Sequence, residues 1–219
     1  IGSQDIQTRR KLVNAMLRAC GDIAIDSYAC TQSTENLKNF NRQDFDEAAK
    51  KNIIQRLKHG NRLKNIILIA GMLELTEAEQ SLRALLNDKN CDLKWEIHLS
   101  LARMGFKEDI TNCIKSININ ELINDFDYNK LVQISYIKSK ESIDFLNRFL
   151  QSEDRLPQIK ENVQGQKIAI RALHLLIQDI KDFPIHINEA VAYSDKEIEL
   201  ARCWMKKNKK NLIINKEIF

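Results

Sequence analysis

The chain has 219 residues, 43% hydrophobic and 29% charged, with a formal net charge of +4, an ordinary balance for a globular protein. With only 6 Gly and 2 Pro it is short of the turn-makers an all-β fold needs, and its mild basicity is less than a dedicated nucleic-acid binder concentrates on one face. Its longest apolar run, around Ile66–Gly71, falls far short of the roughly 20 residues of a membrane span.

In chain order, a long helix is predicted over much of 4–29, followed by a polar loop at 31–43, "TQSTENLKNFNRQ". Asp44, with Glu47 three residues on, reads as the cap of a helix that runs to His59 and ends at Gly60. Helices then alternate with short turns at 62–74, 77–87, 93–104, 107–117, 128–138 and 140–151. Thr76 and Glu79 read as a capping box, and Gly105 stands where a left-handed helix end is expected. The stretch "SEDRLPQIKENVQG" is predicted as an irregular loop. A last helix pair is expected near 164–180 and 194–208, the second started by Ser194 and Glu197, and the β-prone tail "NLIINKEIF" docks or frays.

The middle of the chain repeats. Ile67, Leu99 and Leu131 are separated by 32 residues in turn, as are Met72, Met104 and Tyr136; Leu82, Ile114 and Leu146; and Leu85, Ile117 and Phe149. A helix pair of that length cannot bury its apolar faces alone, so neighbouring pairs must stack. The expectation is a single all-α domain over 1–219, with irregular N-terminal helices at 1–60 and three 32-residue helix pairs at 61–151. A loop at 152–165 and a C-terminal helix pair with its tail at 166–219 complete it.

The stretch "TEAEQSLRALLNDKNCDLKWEIHLSLARMG" resembles the short HEAT-like repeat of the phycobilisome-lyase type, through Leu82, Leu85, Leu86, Asp88, Leu93, Lys94, Ile97, Leu101 and Gly105. Lys94 stands where that pattern has Arg, and Ile97 where it has Ala. The resemblance covers about 62–105, weakens through 106–151 and is faint elsewhere. It implies a HEAT-like or armadillo-type solenoid, a right-handed α–α superhelix of about five helix pairs, in a family made up mostly of protein-binding scaffolds with a few enzymes.

Within "LKWEIHLSLARMG", Leu93, Ile97, Leu101 and Met104 fall on one helical stripe, and Trp95, Leu99 and Ala102 lie nearly opposite. Trp95 is expected to pack between repeats and His98 to sit at the boundary, hydrogen-bonded or solvated. The competing reading pairs Trp95 with Arg103 or Lys94 as a cation–π platform, although Arg103 points away on this wheel. The chain contains no nucleophile elbow, phosphate loop, zinc-protease helix or dinucleotide glycine motif. His59, His98, His174 and His186 are scattered, and Asp125, Asp127, Glu197 and Glu199 read as capping or solvated carboxylates. Cys20, Cys30, Cys91, Cys113 and Cys203 form no CxxC pair. On one helix Cys20 and Cys30 would lie ~15 Å apart, beyond disulfide reach, so buried thiols are expected.

No catalytic residue, metal site or cofactor is therefore predicted. Two basic clusters are the candidate partner-binding residues: Arg56, Lys58, Arg62 and Lys64 at a helix junction, and Lys206, Lys207, Lys209 and Lys210 at a helix end. The reading is a non-enzymatic scaffold that binds a protein or peptide on its concave surface. The alternative, less favoured by the modest charge, is a nucleic-acid-binding HEAT-like protein such as a DNA glycosylase-type enzyme; a chromophore-lyase-like role rests on fold resemblance alone. A start at Ile1 implies upstream sequence. A signal peptide there would make the protein periplasmic, otherwise it is cytoplasmic, and the Lys-, Asn- and Ile-rich composition fits a bacterial source.

Overall fold

The computed structural model describes residues 5–19, 35–59, 63–89, 91–118, 128–156, 166–186 and 193–217. Among the described residues there are ten α-helices and no strand. They are α1 (Ile6–Ala19), α2 (Glu47–Lys58), α3 (Lys64–Met72), α4 (Glu79–Asn87), α5 (Lys94–Arg103), α6 (Lys107–Lys115), α7 (Tyr128–Tyr136), α8 (Lys140–Gln151), α9 (Ile168–Asp179) and α10 (Asp195–Asn208). They divide into two compact units, one of residues 1–110 with 216–219 and the other of residues 111–215.

In the first unit Asp5 starts α1, accepting the backbone amides of Gln7 and Thr8 at 2.8 and 3.0 Å. Of the predicted polar loop at 31–43, the described part from residue 35 is instead anchored by Leu37 and Phe40, both buried, and Phe45 just beyond it is buried as well. Its two short 3₁₀ turns place these apolar groups inward at intervals the helical pattern does not reveal. The cap of α2 is Asp46, whose side chain accepts the Ala49 amide at 2.9 Å. The predicted cap, Asp44, closes the preceding turn onto the Asn41 amide and takes Arg9 Nε at 2.7 Å.

Helix α3, "KNIILIAGM", has eight of its nine residues buried, as expected of a helix apolar all round. It packs on α2 and on α5. Small residues line the α3 and α5 helices (Ala70, Gly71, Ser100, Ala102), and the buried Ser100 hydroxyl donates to the Ile67 carbonyl at 2.8 Å. Helix α4 lies against α5 and α2. The Thr76–Glu79 capping box does not form: Thr76 opens a 3₁₀ turn and Glu79 turns to Arg83 at 2.8 Å. The i,i+4 ion pair competes for the same carboxylate that the box requires.

Helices α3 and α5 end alike. After α3 the Leu75 amide bonds the Ala70 carbonyl at 3.1 Å, and after α5 the Phe106 amide bonds the Leu101 carbonyl at 3.2 Å, the six-residue closure of a Schellman end. The left-handed residue in each is Glu74 (φ 53°) and Gly105 (φ 98°), and α7 is followed by a third at Lys138 (φ 48°). These three positions are 31 and 33 residues apart, close to the period in the apolar pattern.

In the second unit α7, α8 and α9 pack on one another, and α10 lies on α8 and α9. Helix α8 buries Ile143, Phe145, Leu146, Phe149 and Leu150 and is started by a reciprocal Ser139–Ser142 capping box. The predicted irregular loop is closed at its base, where the Leu156 amide meets the Gln166 carbonyl at 2.9 Å and the Ile168 amide meets the Asp154 carbonyl at 3.0 Å. Helix α10 begins at the predicted Ser194–Glu197 box. The tail docks: Ile214 bridges Ile180, and the Asn215 amide reaches the Asp179 carbonyl at 2.8 Å.

Asp179 is itself fully buried. Its carboxylate accepts the Ser135 hydroxyl at 2.7 Å and forms an ion pair with the buried Lys138 ammonium. Cys91 and Cys113 are buried as expected, but Cys203 is exposed, because residue 203 falls on the outer face of α10. Cys20, Cys30, Asp125 and Asp127 lie outside the described residues.

Candidate functional site

The first unit holds residues 216–217 of its own chain against three of its elements. Helix α3 delivers Glu74 at the left-handed position just beyond its C-terminus, and one 3₁₀ turn delivers Arg42. Glu74 Oε1 accepts Lys216 Nζ at 2.8 Å, and Glu74 Oε2 accepts Arg42 Nη2 at 3.2 Å. The backbone amide of Arg42 donates to the Glu217 carbonyl at 3.3 Å. From the last turn of α5, the buried Arg103 guanidinium donates to the Lys216 carbonyl at 3.0 Å. Burial alone would raise the Glu74 pKa, but the Lys216 hydrogen bond and the charges of Arg42 and Lys216 outweigh it and hold the carboxyl below the usual glutamate value. Glu74 and Arg42 each keep about a quarter of their side-chain surface open, 27% and 26%. The seat is therefore reachable from solvent, although the Arg103 guanidinium that contacts its backbone is buried.

A second constellation centres on Asp109 in the first turn of α6. Its buried carboxylate receives His98 Nδ1 from α5 at 2.7 Å and Arg83 Nη2 from α4 at 3.2 Å, on separate oxygens. A carboxylate can only accept, so Nδ1 carries the proton in this pair. Arg83 also lies over the Phe106 ring, 5.1 Å from its centroid. Asp–His pairing orients a base in hydrolytic sites, yet here the same contacts fasten the start of α6 to two earlier helices. His98 is thus the hydrogen-bonded boundary residue its position on the helix suggested, with 34% of its side chain exposed. Trp95 is half-buried rather than fully enclosed, and Arg103 is committed to the Lys216 carbonyl. Among the described residues no three His, Cys, Asp or Glu side chains converge as a metal site, and no helix is long and apolar enough to cross a membrane.

The basic clusters fare differently. Arg56 is 1% exposed; its Nε binds Asn52 Oδ1 and its Nη2 the Leu17 carbonyl, both at 2.9 Å. Arg56 therefore cannot serve as a surface contact. It satisfies a carbonyl of the last turn of α1, which has no acceptor role within that helix. Lys64 pairs with Glu96 at 2.8 Å, Lys58 is exposed, and Arg62 lies outside the described residues. Lys206, Lys207 and Lys210 are exposed at the end of α10, and Lys209 pairs with Asp144 at 3.1 Å. Arg56 and Lys64 of the first cluster are thus taken up by tertiary contacts, while Lys206, Lys207 and Lys210 of the second stand on the surface.

The seat for residues 216–217 was not foreseen, since its partners are far apart in the chain, Glu74 and Lys216 by 142 residues and Arg42 and Glu217 by more still. One local signal did exist: a glutamate at the end of α3, at the position where α5 ends in Gly105. A charged residue held in a left-handed conformation implies a partner that holds it there. No family model, curated protein or solved structure matches the chain.

Proposed function

We propose that the chain is a non-enzymatic HEAT-like scaffold, its helix pairs continuing as a right-handed solenoid whose concave surface binds a protein or peptide. The observation that carries this reading is the packing of α3 on α5. The two helices lie one 32-residue period apart, are joined by Ser100 to the Ile67 carbonyl, and end in the same left-handed turn. Stacked pairs of this kind make extended surfaces suited to recognising other chains. The exposed lysines 206, 207 and 210 suit an acidic stretch of such a partner.

Chemical cross-linking in native extract, followed by reconstitution of the recovered protein with the purified chain, tests the proposal. A stoichiometric complex by analytical ultracentrifugation is expected. The opposite result is no reconstituted complex together with a gel shift of DNA or RNA at about 50 mM salt that is lost by about 200 mM. That outcome replaces the scaffold reading with the nucleic-acid one.

A further inference from the structure

We propose that Glu74, Arg42 and Arg103 form a docking seat for a lysine-bearing peptide, and that residues 216–217 are its resident, exchangeable occupant. The proposal rests on the peptide-binding reading above and specifies its site and ligand chemistry. Two contacts to the segment read backbone carbonyls, those of Lys216 and Glu217, which any peptide offers. Another reads a cation, through Glu74 Oε1 on Lys216 Nζ. Arg42 ties the seat together by holding the other Glu74 oxygen with its guanidinium while its own amide serves the peptide.

The Glu74–Lys216 pair is half-exposed, with Lys216 retaining 45% of its side-chain surface, and such pairs are weakly held. Withdrawing the segment takes the Lys216 carbonyl from the buried Arg103 guanidinium, a loss that an incoming carbonyl would repair. The seat therefore favours exchange of one peptide for another over vacancy. Because the resident segment is on the same chain, it competes at an effective concentration on the order of millimolar. A partner must carry a lysine in the same register, or contacts beyond the seat, to displace it.

The test uses fluorescence anisotropy with labelled peptides of sequence NLIINKE (residues 211–217) and NLIINEE. Lys216→Glu in the full chain repels the resident segment from Glu74 and is expected to bind NLIINKE at least tenfold more tightly than the parent chain. Glu74→Lys repels the same segment from the other side and is expected to prefer NLIINEE by a similar factor. Equal weak binding of both peptides to both folded variants would overturn the seat. If either variant fails to fold by circular dichroism, hydrogen exchange on the parent chain decides. Excess NLIINKE must then accelerate exchange at Lys216 and Glu217, the residues the seat itself holds, and unchanged exchange there sinks the idea. A negative result here with a protein complex still reconstituted removes the seat alone, whereas loss of both removes the scaffold reading as well.

Discussion

At the scale of single residues, the left-handed positions after α3, α5 and α7 show two solutions to one backbone problem. Gly105 reaches φ 98° without a side chain to clash. A Cβ added there would meet nothing within 4 Å, so the cost of Gly105→Ala is conformational alone, about 1–2 kcal/mol by urea denaturation. Glu74 and Lys138 reach the same region with full side chains, and each is held by ion pairs. Lys138 is the stronger case, because its partner Asp179 is fully buried and also takes the Ser135 hydroxyl. Lys138→Met leaves that carboxylate buried without its cation and is expected to cost about 3–5 kcal/mol. Adding Asp179→Leu to it should recover part of the loss, a coupling that a double-mutant cycle measures. Arg56 and Lys58 make a similar contrast two residues apart. Arg56→Ala removes the donor to the Leu17 carbonyl and should destabilise by about 2–3 kcal/mol, while Lys58→Ala should stay within about 0.5 kcal/mol.

At the scale of elements, α5 carries the clearest test of the helical wheel. Ile97 and Leu101 are fully buried on the predicted stripe, while Leu93 and Met104 at its ends are only half-buried. The opposite side is also covered, by Leu99 and Ala102, which is the two-faced burial expected of a sandwiched helix. Leu101→Ala should therefore cost about 2–5 kcal/mol. Trp95→Ala, where the indole is already partly solvated, should cost less than Leu101→Ala in spite of the larger side chain, as thermal unfolding can show. Were Trp95→Ala the costlier change, its packing would be more complete than its surface suggests. The caps divide along a related line. Ser194 and Glu197 form the box their spacing predicted, whereas Thr76 and Glu79 do not, because Arg83 is one turn further on and takes the same carboxylate.

At the scale of the whole molecule, acid should weaken the fold. Glu35, Asp46, Glu74, Glu153, Asp195 and Glu197 all have carboxyl groups held below their ordinary values, by Lys38, the Ala49 amide, Lys216, Arg202, Lys167 and the Ser194 amide respectively. A depressed folded-state pKa means that the stabilisation is complete above the unfolded value, near pH 4–4.5, and is lost as pH falls through the folded one. The melting temperature is thus expected to be level between about pH 6 and 7 and to decline below about pH 4.5; a rise on acidification would contradict these pairings.

Among the described residues, the six helices between Lys64 and Gln151, their boundaries to within a few residues, and the left-handed end at Gly105 were legible in the sequence alone. Each depends on neighbours within one or two turns, where apolar spacing and capping chemistry act. What tertiary structure alone decided is which charges meet. With 34 basic and 30 acidic side chains available, Coulomb attraction does not specify that Glu74 should find Lys216 or Lys138 should find Asp179. Nor does it specify that Arg56 should leave the surface for the Leu17 carbonyl. Those pairings are selected when packed helices bring distant segments together and remove competing water, so the seat built on Glu74 emerges only from the folded chain.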